Sequence, residues 1–182
     1  SMVTGRRVID GHPYLLGTYG LINGWCLDNG LWYWGSNGVV LTGWLQTGDN
    51  WYWLDPANEG AMSRGIVSVG SSRYYLSDSG AMAVGWAFDG TDWYYADGSG
   101  TLASGWRSVN GAWYWLDAAN DYKMATGFSA IGPNRYHFSS TGALSLGWFM
   151  SDGDWYYAEP SNASGIVKTG WLKDGGQYYY LD

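Results

Sequence analysis

Residues 85–106 read GWAFDGTDWYYADGSGTLASGW, a stretch that begins and ends on Gly-Trp. A turn signal, Asp89-Gly90, lies between two runs rich in aromatic and aliphatic residues, and the second run centres on Tyr94. Because Asp-Gly tolerates the positive φ angles of a tight two-residue turn, the stretch predicts a β-hairpin. A linker that contains a further glycine then leads to the next Gly-Trp, at Gly105.

The same arrangement recurs nine times along the 182-residue chain. In each copy an opening glycine precedes a turn signal and then a three-residue cluster whose central member is tyrosine. The opening glycines are 19 to 23 residues apart, which is typical of repeat proteins whose units stack on their neighbours. We therefore predict a single β-hairpin repeat array over residues 1–182. The repeats start at Gly5, Gly24, Gly43, Gly65, Gly85, Gly105, Gly127, Gly147 and Gly170.

Strand alternation sorts the aromatic residues of a hairpin by face. The residue after the opening glycine shares a face with the first and third members of the cluster, and the central Tyr points the other way. In the third repeat, Trp44, Trp51 and Trp53 are thus expected together, opposite Tyr52. The central Tyr of every repeat, like the aliphatic or Met residue of each linker, is interpreted as packing between hairpins.

A longer period sets the expected architecture. Residues 43–104 resemble residues 105–166, so that three hairpins form a unit of 62 residues, which suggests three hairpins per turn of a superhelix. Since a lone hairpin is marginal in water, each must be covered by the next. The predicted fold is all-β, a solenoid of nine stacked β-hairpins.

The composition of the chain argues against several classes of partner and activity. Asp and Glu total 16 against 9 Lys and Arg, a net charge of -7, and aromatic residues make up 19% of the chain. This balance disfavours nucleic acid as a partner, and the lack of a long apolar run argues against membrane insertion. Cys26 is alone, and His12 and His137 lie in unrelated contexts. We therefore expect no enzyme activity, no catalytic residues, no cofactor and no metal site.

The repeats resemble the choline-binding, or cell-wall-binding, repeats of Gram-positive surface proteins. The stretch quoted above and GIVSVGSSRYYLSDSGAMAVGW, residues 65–86, carry the resemblance, which covers essentially the whole chain. Related repeats occur in glucan-binding regions of glucosyltransferases and in clostridial toxins. The resemblance implies a secreted, cell-wall-associated module of a Gram-positive bacterium that recognises choline on teichoic acids.

The resemblance also implies where the ligand binds. In the choline-binding members, the Trp after the opening glycine and the first aromatic of the cluster form two walls, and the third cluster residue of the next hairpin closes the box. A quaternary ammonium has no N–H to donate, so electron-rich ring faces suit it. Transferred to this chain, the boxes are Trp25, Trp32 and Trp53; Trp44, Trp51 and Tyr75; Trp86, Trp93 and Trp115; Trp106, Trp113 and His137; Trp148, Trp155 and Tyr180.

The first, fourth and seventh repeats lack the paired Trp residues, and Arg73 and Arg135 take the first cluster position of the last two. We expect these guanidinium groups to stack against neighbouring rings, where a ligand cation would otherwise lie. Protonation of His137 is expected to weaken cation binding in its box at mildly acidic pH.

Two other functions fit the same residues. In a glucan- or glycan-binding module, Trp faces would stack on sugar rings. In a structural spacer or oligomerisation stalk, the aromatic boxes would be hydrophobic core, and exposed strands of the terminal hairpins would pair two copies into a homodimer. A Trp pair in a hairpin also stabilises the sheet without any ligand, so the sequence alone leaves these alternatives open.

Overall fold

The computed structural model describes residues 4–182, which form β-strands and three short 3₁₀-helices. None of the helices within this range is long and apolar enough to cross a membrane. The 3₁₀-helices cover Pro56–Asn58, Ala118–Asn120 and Ser161–Ala163. In chain order the strands are β1 (Gly5–Ile9), β2 (His12–Gly17), β3 (Gly20–Leu21), β4 (Gly24–Asp28), β5 (Leu31–Ser36), β6 (Val39–Val40), β7 (Gly43–Thr47), β8 (Asn50–Asp55), β9 (Ala61–Met62), β10 (Gly65–Val69), β11 (Ser72–Leu76), β12 (Gly85–Phe88), β13 (Trp93–Ala96), β14 (Gly105–Val109), β15 (Ala112–Asp117), β16 (Lys123–Met124), β17 (Gly127–Ile131), β18 (Asn134–Phe138), β19 (Gly147–Ser151), β20 (Asp154–Ala158), β21 (Gly170–Asp174) and β22 (Gln177–Leu181).

Nine antiparallel hairpins follow one another along the chain. Hairpins 1 to 9 are β1/β2, β4/β5, β7/β8, β10/β11, β12/β13, β14/β15, β17/β18, β19/β20 and β21/β22. The first strand of every hairpin begins at the predicted opening glycine, so the all-β hairpin-repeat fold predicted from the sequence is confirmed.

The turns have the backbone geometry that their residues predict. In hairpin 2, Asn29 and Gly30 have φ angles of 48° and 80°, both positive as a type I′ turn requires. In hairpin 3, the first turn residue is Gly48 with φ of 59°, the position that a type II′ turn reserves for glycine. The register of hairpin 3 pairs Trp44 with Trp53, which places them on one face as predicted.

The described residues divide into two compact units. The first runs to Thr91 and includes Tyr95–Leu102, and the second contains Asp92–Tyr94 and Ala103–Asp182. Hairpins 1 to 4 therefore lie wholly in the first unit and hairpins 6 to 9 wholly in the second. The single array over residues 1–182 stays a prediction, since this division does not test it.

Backbone hydrogen bonds join consecutive hairpins within a unit. The amide of Met82, in the linker after hairpin 4, donates to the carbonyl of Trp51 in hairpin 3 over 2.8 Å. The amide of Leu144 donates in the same way to the carbonyl of Trp113, also over 2.8 Å. The residue two positions after a linker glycine thus fixes the backbone of the first cluster aromatic of the preceding hairpin.

The linker glycines are required by close packing. A Cβ atom added at Gly80 would collide with the sulfur of Met62, and one at Gly100 would collide with the sulfur of Met82. Both glycines also have positive φ angles, 83° in each case. Met62 and Met82 therefore fill the space between hairpins, the packing role predicted for the linker residues.

Candidate functional site

The Trp44 cage, which we define as Trp44, Trp51 and Tyr74, lies between hairpins 3 and 4. The Trp51 ring approaches Trp44 from the same hairpin, with centroids 6.4 Å apart and planes at 84°. The Tyr74 ring comes from the next hairpin and lies 4.7 Å from Trp44 at 71°. These rings and Met82 line a cavity of about 380 Å³. The rings are in contact at their edges, and space remains between them.

The Trp25 cage, formed by Trp25, Trp32 and Tyr52, repeats this geometry between hairpins 2 and 3. Trp25 lies 6.4 Å from Trp32 at 89° and 4.9 Å from Tyr52 at 71°. The cavity measures about 340 Å³ and is also lined by Met62. The two cages of the first unit are thus built alike.

The second unit contains the Trp106 cage, formed by Trp106, Trp113 and Tyr136. Trp106 lies 6.5 Å from Trp113 at 81° and 5.0 Å from Tyr136 at 69°. The Phe138 ring, 5.7 Å from Trp106, supports it from the next hairpin. Ring distances and angles therefore agree closely with those of the first unit.

The Trp148 cage consists of Trp148, Trp155 and Tyr179, which line a cavity of about 430 Å³. Tyr179 lies 4.8 Å from Trp148 at 67°. The indole N–H of Trp148 donates a hydrogen bond of 2.9 Å to the Asp174 carboxylate. A negative charge thus lies beside this cage, which favours a cationic ligand.

The outer wall of each cage is open to solvent. The exposed fraction of the side chain is 40% for Trp51, 39% for Trp113 and 62% for Trp155. Trp44 and Trp148, which form the inner walls, are half-buried. A ligand can therefore reach the inner ring past the outer one.

The third wall of the cages differs from the expected residue. The third cluster member lies directly across the strand pair from the residue after the opening glycine, so it contacts that residue of its own hairpin. Trp53 lies 5.2 Å from Trp44, Trp115 lies 5.4 Å from Trp106, and Tyr180 lies 5.3 Å from Trp171. The central Tyr of the next hairpin faces the preceding hairpin and takes the expected place. The rings that close the cages are Tyr52, Tyr74, Tyr136 and Tyr179.

Tyr75 also lies away from the Trp44 cage to which the sequence assigned it. It is buried, and its hydroxyl donates to the carbonyl of Phe88 over 3.2 Å. Burial, together with the carboxylates of Asp89 and Asp78, raises the pKa of Tyr75. The phenol therefore stays protonated and available as a donor.

His137 does not face the Trp106 cage. Its ring stacks on Phe149 at 4.3 Å, contacts Phe128 at 4.8 Å, and its Nδ1 lies 2.8 Å from the Ser145 hydroxyl. Burial and the nearby Arg135 lower the pKa of His137, and the opposing effect of an acidic residue is smaller. The expected interference of a protonated His137 with the Trp106 cage therefore lacks its geometric basis.

The predicted box of Trp86, Trp93 and Trp115 draws residues from both units. Within the first unit Trp86 contacts Tyr95, with centroids 5.1 Å apart. This box remains a prediction.

Arg135 fills the cleft of hairpin 7 in the way that the sequence predicts. Phe128 and Tyr156 lie 4.9 Å apart at 68°, the arrangement of the inner ring and tyrosine of a cage. The guanidinium carbon of Arg135 lies 3.8 Å from the Phe128 ring centroid and 6.0 Å from that of Tyr156. The chain's own cation thus occupies what we call the Arg135 cleft. The stacking expected of Arg73 remains a prediction.

Comparison with protein-family models identifies these repeats. The model described as putative cell wall binding repeat matches residues 42–57, 84–102, 104–119, 147–161 and 169–182. The five matched segments belong to the choline-binding, or cell-wall-binding, repeat family. The matched ranges leave out hairpins 1, 2, 4 and 7, and in hairpins 4 and 7 arginine stands at the first cluster position.

Solved structures of choline-binding proteins share the fold. The chain is 32% identical to CbpJ from Streptococcus pneumoniae TIGR4, with a TM-score of 0.76, over 93% of this chain and 60% of that one. It is 26% identical to the choline-binding domain of CbpL from Streptococcus pneumoniae, with a TM-score of 0.68, over 99% and 94%. Choline-binding protein F from the same species, crystallised with a peptidoglycan analogue, gives 26% identity and a TM-score of 0.67, over 97% and 84%.

The chain spans about three fifths of the length of CbpJ. A search of curated proteins by sequence found no match. The predicted homodimer through the terminal hairpins finds no support in these similarities.

Two kinds of residue that line the cages were not expected there from the sequence. The central tyrosines were assigned to packing because they lie on the opposite face of their own hairpins. Met62 and Met82 were assigned to packing as well, yet both line cage cavities. Their signal in the sequence is the recurrence of Tyr and of the linker Gly-x-Met in repeats that follow a Trp pair. In these choline-binding repeats, the same residues hold neighbouring hairpins together and enclose the cavity.

Proposed function

We propose that the chain is a non-catalytic wall-attachment module that binds choline groups of teichoic acids in its aromatic cages. The observation that carries this proposal is the recurrence of one geometry, in which two Trp rings of one hairpin and a Tyr ring of the next surround an open space. In the Trp25, Trp44 and Trp148 cages this space is a cavity of about 340, 380 and 430 Å³, respectively.

Ring faces favour a quaternary ammonium. Each cation–π contact contributes roughly 0.5 to 2 kcal/mol, so three rings support a dissociation constant on the order of millimolar to micromolar after entropic losses. The chain's net charge of -7 also favours a cation. Asp174 strengthens this preference at the Trp148 cage, because its carboxylate binds the indole N–H of the inner ring.

Several weak cages gain from a polymeric ligand. Teichoic acid carries many choline groups, and binding at one cage raises the effective concentration of choline at the next. A single cage is thus a poor anchor, whereas several engaged together bind firmly. This supports a secreted protein held noncovalently at the wall of a Gram-positive bacterium.

Wall glycan is a second candidate ligand. Choline-binding protein F was crystallised with a peptidoglycan analogue. In this chain, Tyr75 and Trp86 line a further cavity of about 420 Å³ together with Ser77 and Asp78. Aromatic faces and short polar side chains are the groups with which proteins stack on and hydrogen-bond sugar rings.

Calorimetric titration with choline tests the proposal. Trp44→Ala should lower the number of bound choline molecules by one, because it removes the inner ring of the Trp44 cage. Trp171→Ala is the matched control: Trp171 follows an opening glycine, is 75% exposed, and contacts the Tyr180 ring of its own hairpin. Its removal should leave the number unchanged.

Retention on a diethylaminoethyl support gives a second measurement. Choline should elute the protein and an equal concentration of NaCl should not, which separates cage binding from ion exchange. No heat with choline and no choline-specific elution would refute the proposal. Retention on a glucan or on peptidoglycan instead would favour the glycan candidate, and no binding to any of them would favour a structural stalk.

A further inference from the structure

The Trp25 and Trp44 cages each contain one methionine. Met62 lines the cavity of the Trp25 cage, and Met82 lines that of the Trp44 cage. The thioether of methionine is oxidised to a sulfoxide, which turns a flexible apolar side chain into a polar one. Each of these two cages therefore has in its wall a group whose polarity an oxidant can change.

A small oxidant can reach both methionines from solvent. The cavities measure about 340 and 380 Å³, whereas one water molecule takes up about 30 Å³ of liquid volume. Their outer walls, Trp32 and Trp51, are 36% and 40% exposed. Hydrogen peroxide, which is little larger than water, therefore has room to approach Met62 and Met82 through the cavities.

The other side of each sulfur is closed by a linker glycine. The sulfur of Met62 packs against Gly80, and that of Met82 packs against Gly100, so closely that a Cβ atom added at either glycine would collide with it. Both glycines are buried. An oxygen atom bonded to the sulfur needs about as much room as such a carbon. The oxygen can therefore be added on the cavity side of the sulfur and not on the glycine side.

An oxygen placed in the cavity would work against ligand binding. The faces of the cage rings carry a negative potential, which attracts a cation and repels the negative oxygen of a sulfoxide. The oxygen would thus displace the rings from the positions in which they surround a cation, and it would take up part of the space between them. The polar S–O group is also stabilised by water, which a ligand in the cavity removes.

The Trp106 cage has a leucine where the Trp44 cage has a methionine. The amide of Leu144 donates to the carbonyl of Trp113 over 2.8 Å, as the amide of Met82 does to the outer ring residue of its own cage. The Leu144 side chain packs against a linker glycine, Gly165, as that of Met82 does against its own. Leucine has no sulfur to oxidise, so the chain itself contains a cage that should not respond to peroxide.

We infer that Met62 and Met82 are modification sites at which hydrogen peroxide forms methionine sulfoxide, and that this weakens ligand binding in the Trp25 and Trp44 cages. A lone pair of the sulfur attacks one peroxide oxygen, and the O–O bond breaks as the S–O bond forms. The attacked oxygen gives its proton to the departing hydroxide, which leaves as water. Sulfur is oxidised by two electrons and peroxide is reduced. The effect on choline rests on the proposed function, whereas the modification does not.

Peptide mapping by mass spectrometry tests the modification on the full chain. Met150, which is exposed and lines none of the cage cavities described above, is the reference. Met62 and Met82 should each gain one oxygen at peroxide concentrations that oxidise Met150, while Trp32 and Trp51 remain unmodified. If Met62 and Met82 stay unmodified when Met150 is fully converted, the inference is wrong.

Saturating choline should slow the oxidation of Met62 and Met82, because it blocks the cavities through which peroxide arrives. It should leave the oxidation of Met150 unchanged. If choline binds, yet all three methionines are oxidised as fast with choline as without it, peroxide does not reach them through the cages and the inference fails.

Nuclear magnetic resonance titration with choline measures the consequence for binding. The indole N–H resonances of Trp51 and Trp113 report on a cage with methionine and a cage with leucine, and Trp51→Phe and Trp113→Phe assign them. After oxidation, the affinity for choline should fall by about tenfold or more at Trp51, because a polar group loses water when the ligand binds. The affinity at Trp113 should stay the same.

The double variant Met62→Leu, Met82→Leu copies the leucine of the Trp106 cage and is the matched variant. Each protein is compared with its own untreated form, so any effect of the substitutions on choline binding itself cancels. Oxidation should lower the affinity at Trp51 in the native chain and not in the double variant, although both proteins still contain Met124 and Met150.

Three results would overturn the inference: an unchanged or higher affinity at Trp51 in the oxidised native chain, an equal loss at Trp113, or an equal loss in the double variant. If the untreated native chain binds no choline at either resonance, the proposed function fails. The mass spectra would then still decide whether Met62 and Met82 are modification sites.

Discussion

The Trp106 cage and the Arg135 cleft lie side by side in the second unit and share one scaffold. Their inner ring and tyrosine are 5.0 Å apart at 69° in the cage and 4.9 Å apart at 68° in the cleft. Leu144 donates a backbone hydrogen bond of 2.8 Å to Trp113, and Val167 donates one of 2.8 Å to Arg135. Only the side chains differ.

Hairpin stacking and the space inside a cage depend on different residues. Hairpin stacking requires the inner ring, the tyrosine of the next hairpin and the linker amide, and both places have all three. The residue at the first cluster position decides whether the space stays open. Trp113 stands 6.5 Å from the inner Trp106 ring and is 39% exposed, whereas Arg135 places its guanidinium 3.8 Å from the inner Phe128 ring.

Filling the Trp106 cage should have the largest effect on choline binding. Trp113→Arg replaces the outer ring with a cation above Trp106, so the affinity of that cage for choline should fall by about tenfold or more. The calorimetric stoichiometry should drop by one while the thermal midpoint changes little, because Trp113 is 39% exposed. Trp113→Phe keeps a ring and should keep the site. If Trp113→Arg binds as many choline molecules as the native chain, the residue at the first cluster position does not decide whether a cage is filled.

Opening the filled cleft should have a smaller effect. Arg135→Trp removes the internal cation and supplies an outer ring, so one additional choline site should appear, with a dissociation constant on the order of millimolar. Calorimetry or equilibrium dialysis measures it. Arg135→Lys, which keeps a positive charge in the cleft, serves as the control and should gain no site. If Arg135→Trp binds no more choline than the native chain, the guanidinium is not what closes the cleft.

The histidine beside the cleft should give the smallest effect. Burial lowers the pKa of His137 below its ordinary value of 6.5, so the unfolded chain takes up this proton more readily than the folded one. Its contribution to stability is therefore fully present above pH 6.5 and decreases as the pH falls below that value. His137→Tyr should reduce the acid-induced shift of the urea midpoint.

The same variant should leave the pH response of choline binding unchanged, since His137 faces Phe149 and not the Trp106 cage. Urea titrations and choline titrations measure both effects when each is done at about pH 7.5 and about pH 5.0, above and below the pH at which histidine ordinarily titrates. A change in the pH response of choline binding would restore the interpretation made from the sequence.

Local patterns in the sequence were sufficient to predict the hairpins. Asn29-Gly30 dictates a tight turn by its backbone preferences, and strict alternation then places Trp44, Trp51 and Trp53 on one face. These features depend only on residues within one repeat. The two Trp walls of each cage follow from them.

The third wall depends on how one hairpin lies on the next, which no pattern within a repeat specifies. That placement is set by the Met82 amide, which binds the Trp51 carbonyl, and by Gly80, which accommodates the Met62 sulfur. Together they turn the Tyr74 face toward Trp44, while the Tyr75 hydroxyl donates to the carbonyl of Phe88 in hairpin 5. The ring beside each inner Trp from the next hairpin is therefore the central cluster member and not the third one, and one residue along a strand reverses the face.

The tyrosine of each cage comes from the following hairpin, so a choline bound there, as proposed, would contact two hairpins at once. Binding to the stacked form alone adds RT ln(1 + [L]/Kd) to its stability, about 1.4 kcal/mol per cage at a tenfold excess over the dissociation constant. The ligand then stabilises the contact between neighbouring hairpins. A protein anchored in this way would resist heat and proteases best while bound to the wall and would be most readily degraded once released.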